Sequence, residues 1–121
     1  MNKYLYHGTL LENWGSIKRQ GLVPKQVEES NVWHFGSKIA SICLVKDKNI
    51  AEMFALRKRY TTNKGTPIIL KVENKFNSLE AEDYRLGLKY NVVLEKISPK
   101  NIVNFKKCKI KNVKMFKFFR I

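Results

Sequence analysis

Twice in its first half the chain runs from a short strand-like segment straight into a helix-like one, and its second half holds mainly strand-like segments. That order limits the fold more than any single motif. Tyr4, Leu5 and Tyr6 have strand propensity. Thr9 followed by Glu12 predicts a capping box, with Leu10, Trp14 and Ile17 recurring at helical spacing on one face. Gly21 stands where a left-handed C-cap is wanted, so the first helix is predicted from about Leu10 to Gln20. The second unit repeats the plan. Ser41 to Val45 reads as a buried strand, and Asp47 as the cap of a helix whose inner face carries Ile50, Ala51, Phe54 and Ala55. Arg57, Lys58 and Arg59 fall near its C-terminus, where the helix dipole favours positive charge.

Between the two units, Leu22-Val23-Pro24 is expected to be extended, because a proline restricts the residue before it. Lys25 to Asn31 is a polar loop, and Trp33-His34-Phe35-Gly36 a short aromatic strand or turn at the edge of a base-binding cleft or of the core. Thr66 to Val72 is the clearest strand, with Ile68, Leu70 and Val72 on one face. Asn74 to Leu88 reads as irregular or as a short helix around Leu79 to Tyr84. Tyr90 to Lys96 is a strand, Ser98-Pro99 breaks it, Asn101 to Phe105 resumes, and Cys108 to Ile121 suits one or two final strands. The expected architecture is α+β: one domain over residues 1–121, with two N-terminal helices on a split, mostly antiparallel sheet.

Composition narrows the partners. A chain of 121 residues forms one core. Its apolar runs are far shorter than the ~20 residues a membrane span needs, and no apolar leader opens it, so a cytoplasmic protein without a membrane partner is expected. Cys43 and Cys108 have no zinc-ligand spacing with His7 and His34; no metal is expected, and two free thiols fit a reducing compartment. The net charge is +14, and Lys96 to Ile121 holds nine basic residues and no acidic one. Such a field attracts nucleic acid, nucleotides or an acidic protein, although lysines also serve as general solubilisers.

The strand, the His7-Gly8-Thr9 knuckle and the following helix resemble the opening of the ADP-ribosyltransferase superfamily and of the related RNA 2′-phosphotransferases. Two later stretches extend the likeness over about Tyr4 to Phe105. Ile42 to Ala51 is similar to the family's second strand and Asp-capped helix, and Tyr90 to Ile102 to its late strand and proline break. The resemblance implies NAD+ as the cofactor, with His7 and Thr9 on the ribose beside the nicotinamide, the Gly8 backbone on the carboxamide, and Cys43 and Tyr60 bordering the same site. Many members carry a glutamate at the start of the late strand, gripping the ribose 2′-hydroxyl; here Tyr90 or Asn91 falls there. Hence His7, Asn91 and Tyr90 are the catalytic candidates, and His7, Gly8, Thr9, Cys43 and Tyr60 the cofactor-binding ones.

The function implied is transfer of ADP-ribose from NAD+ to a protein or nucleic-acid acceptor, as in small bacterial toxins and phage effectors. Two alternatives stand beside it: an RNA 2′-phosphotransferase-like enzyme, and a non-catalytic domain that binds nucleic acid or protein through a basic surface. Each site residue also has a plainer reading. His7 can be a strand-end histidine, Thr9 an N-cap, Gly8 a turn glycine, Cys43 a small buried hydrophobe, and Tyr60 a helix-end core residue.

Overall fold

The structure, a computed structural model, describes residues 3–25, 40–83 and 87–108. Trp33, His34, Phe35 and the basic residues of 109–121 lie outside the described residues. The elements, in chain order, are β1 (Tyr4–Leu10), a 3-10 turn (Leu11–Asn13), α1 (Trp14–Gln20), β2 (Ile42–Leu44), α2 (Lys48–Thr62), β3 (Pro67–Glu73), β4 (Leu79–Asp83), β5 (Leu88–Val93), a second 3-10 turn (Pro99–Asn101) and β6 (Ile102–Lys107).

The strands form two antiparallel three-stranded sheets, β1-β3-β6 and β2-β5-β4. The alternation read from Ile68, Leu70 and Val72 is real: all three are fully buried. They join Leu5, Ile17, Leu22, Ile42, Leu44, Val93 and Ile97 in a core drawn from both sheets and α1. Trp14 closes it against Phe105, with ring centroids 4.9 Å apart. On the opposite face of the first sheet, Val45, Ala51, Ile69, Tyr90 and Val92 make a second cluster beneath α2. The α2 cap is as expected, Asp47 Oδ1 accepting from the Asn49 N–H at 2.8 Å.

Three local expectations fail, each for a tertiary reason. Thr9 caps no helix. β1 runs on through His7, Gly8 and Thr9 because these residues pair with Leu70, Ile69 and Ile68 of β3. Glu12 does not reach back to close a capping box; its carboxylate accepts from the Thr66 N–H at 3.1 Å and ties the end of β1 to the start of β3. The helix around Leu79 is a strand, since Leu79 to Asp83 pairs along β5. The helix formers Leu, Glu and Ala there yield to a ladder that local propensity does not record. Gly21 does leave the first helix at positive φ (81°), but with ψ of −166°, a region open only to glycine. A Cβ there would run into the Ile97 carbonyl and Pro99.

Candidate functional site

The two sheets touch along one edge and then part. Tyr6 and Val45 exchange both backbone hydrogen bonds, at 2.7 and 2.8 Å. One rung further, Gly8 of β1 and Cys43 of β2 would pair if the sheets were continuous, because backbone groups two residues apart face the same edge. They do not pair. The Cys43 carbonyl instead accepts from His7 Nδ1–H at 2.8 Å, and the Gly8 carbonyl accepts from the Lys58 ammonium at 3.0 Å. Beyond the gap, Ser41 bonds to Lys25 in both directions, which closes the far end. Two side chains therefore stand where a sheet rung is missing, and the Gly8 and Cys43 N–H groups face the opening without a backbone partner among the described residues.

Electrostatics fixes the state of these groups. His7 is lowered to a pKa of about 3, first by burial, then by the charge of Lys58. The imidazole is neutral at physiological pH, and with Nδ1–H committed to Cys43 its Nε2 carries the lone pair. The Cys43 thiol is raised to about 11 by burial, which keeps it protonated and no nucleophile. Lys58 is an exposed residue by its overall surface, yet its head turns inward onto Gly8. Desolvation of that head lowers it from 10.5 to about 8, and solvent at the stem softens the effect.

Gly8 has a second reason to be glycine. A Cβ there would collide with the Ala51 carbonyl and stand 2.7 Å from the Ala55 N–H. The first sheet and α2 meet at this point with no side chain between them. Lys58 belongs to the same helix face, since positions 51, 55 and 58 lie within about 60° of one another around the axis. That spacing is the signal by which Lys58, read from the sequence only as a helix-end charge, could have been placed beside Gly8.

The other candidates divide. Thr9 is buried (3% exposed) and its hydroxyl accepts from Asn13 Nδ2 at 3.1 Å, so it serves the turn after β1 rather than an open site. Tyr90 is buried, 2% exposed, in the cluster under α2 against which Cys43 and Tyr6 pack. Asn91 is buried too, and its Nδ2 donates to Ser78 Oγ at 3.1 Å. Tyr60 is exposed, about 180° around α2 from Ala51, and so on the side away from Gly8. The structure thus brings together His7, Gly8, the Cys43 backbone and Lys58; it leaves Tyr60 apart from them, commits the Thr9 and Asn91 side chains to Asn13 and Ser78, and buries Tyr90 in the cluster that Cys43 packs against. Among the described residues no cluster of potential metal ligands occurs, both cysteines are free, and no helix is long and apolar enough to cross a membrane.

Compared with known families and with curated proteins, the chain matches no family model and no curated sequence.

Proposed function

We propose that the gap between the sheets is a nucleotide cleft of the ADP-ribosyltransferase kind, and that the chain transfers ADP-ribose from NAD+ to a macromolecular acceptor inside the cell. One observation carries the reading: the sheet divides at His7-Gly8, leaving a neutral histidine, its Nε2 without a partner among the described residues, beside backbone amides turned to the opening. Nε2 can accept from a ribose hydroxyl, and the Gly8 N–H can donate to a carboxamide oxygen. In the reaction the bond between C1′ and nicotinamide breaks, the electron pair leaves with nicotinamide, and an acceptor nucleophile bonds to C1′ and loses its proton. The residues at the split contribute position and fixed dipoles to that step. The Gly8 carbonyl is held by Lys58, so a carboxamide donor must displace the ammonium, which then stands free to meet the dinucleotide phosphates.

Lys58 also favours a second reading, the RNA 2′-phosphotransferase kind. A cation beside a neutral histidine suits a phosphate better than it suits a developing sugar cation.

Titration of NAD+ into the wild type and His7→Ala by calorimetry tests the shared premise. The reading expects binding by the wild type and a loss of about tenfold or more in the variant, the worth of one well-placed hydrogen bond to a neutral group. Release of nicotinamide with a labelled acceptor selects the transferase. Loss of phosphate from a 2′-phosphorylated oligonucleotide selects the alternative. If the wild type shows no NAD+ binding at millimolar concentration, both fail and the domain is a non-catalytic binder.

A further inference from the structure

The basic charge is not spread evenly over the described surface. A groove of about 360 Å³ runs between the first turns of α2 and the strands beneath, and four lysines line it: Lys48 from α2, Lys71 from β3, and Lys106 and Lys107 from β6. Among the described residues, Glu52 is the one acidic residue on its wall. The strand register explains the crowding. Tyr6, Lys71 and Asn104 form one row across β1, β3 and β6, and Ile69 and Lys106 form the next between β3 and β6. Lys71 and Lys106 are therefore diagonal neighbours on the same sheet face, roughly 7–8 Å apart by sheet geometry.

Elsewhere lysines find carboxylates: Lys46 pairs with Glu80, and Lys75 with Glu73. None of the four groove lysines makes an ion pair among the described residues; the Lys71 ammonium rests over the Tyr4 ring, 4.2 Å from its centre. Like charges held side by side work against folding. A polyanion laid in the groove removes that repulsion and gains from the released counter-ions. The floor is not only charged. Tyr6 offers a half-buried ring, and Asn49 and Asn104 offer amides that can both donate and accept. Phosphate-binding cations, an aromatic ring and amides in one narrow channel are the chemistry of a single nucleic-acid strand.

We infer that this groove binds the backbone of single-stranded nucleic acid. The inference does not rest on NAD+ chemistry. Lys48 of the groove and Lys58 of the cleft stand about 15 Å apart along α2, although the two sites adjoin at Tyr6 and Ile69, which flank Gly8.

Fluorescence anisotropy with a labelled single-stranded oligonucleotide of about 12 residues, a length within the usual site sizes, reads the inference on the full chain. The variants are Lys71→Glu/Lys106→Glu and a charge-matched control on exposed positions elsewhere, Lys18→Glu/Lys100→Glu. The groove variant is expected to weaken binding by about 30-fold or more, and to lower the slope of log K against log salt by about 1.4 for two lost contacts to a single strand. The control is expected to change affinity by less than about threefold, the response of a distant, screened charge. Equal losses in both variants would show a diffuse field and overturn the groove. Binding of a duplex or of polyglutamate as tight as that of the single strand would overturn the assignment of the ligand. If charge reversal lowers the melting temperature, Lys71→Gln/Lys106→Gln keeps the stems and replaces it. Calorimetry with NAD+ on the groove variant should give the wild-type affinity, so the cleft and the groove stand or fall separately.

Discussion

At the scale of single residues, two positions carry most of the local physics. His7 is neutral in the folded protein and basic when exposed. Its folded pKa, about 3, lies below the ordinary 6.5, so the unfolded chain takes up a proton first as pH falls. The stabilising contribution is complete above pH 6.5 and is lost as pH falls toward 3, at no more than about 1.4 kcal/mol per pH unit. Denaturant melts of wild type and His7→Gln across that window should therefore diverge, the wild type losing more stability in acid; parallel curves would mean that His7 titrates normally. Gly8 is the other. Its replacement by alanine pushes a methyl group into the α2 backbone, and we expect a cost of about 1–3 kcal/mol, measured as a lower denaturation midpoint. A loss of ligand binding in that variant would not separate a backbone contact from a displaced helix, which is why His7 is the cleaner probe of the cleft.

At the scale of elements, the legible parts were those whose signals are local. Asp47 caps α2 through its own side chain, and Ile68, Leu70 and Val72 alternate because one face is buried. Asp47→Ala should lower stability by about 1 kcal/mol. Thermal unfolding should show this as a drop of roughly 3–6 °C; no change would place the cap outside the cooperative unit. The illegible parts were settled by partners distant in sequence. Thr9 and Glu12 have the spacing of a capping box, but β3 claims Thr9 for a strand and Thr66 claims the carboxylate. Leu79 to Asp83 is strand because β5 lies beside it. His7 and Gly8 could be flagged from the sequence, whereas the inward turn of Lys58 and the burial of Tyr90 depend on how α2 lies across the sheet.

At the scale of the whole molecule, a split sheet and a basic groove are two consequences of one helix. α2 lies against β1 and β3. Its C-terminal half delivers Lys58 to the gap, and its first turns wall the groove. Among the described residues, the sheets themselves are joined edge to edge by one rung, Tyr6 with Val45, with a shared core behind it. That arrangement is a seam, and seams breathe before walls do. In hydrogen exchange, the amides of Tyr6 and Val45 should lose their protection through a smaller opening than the Leu70 amide in the middle strand. A ligand that bridges the cleft would stitch the seam and slow those two amides selectively, so their exchange rates would report occupancy of the cleft without any assay of chemistry.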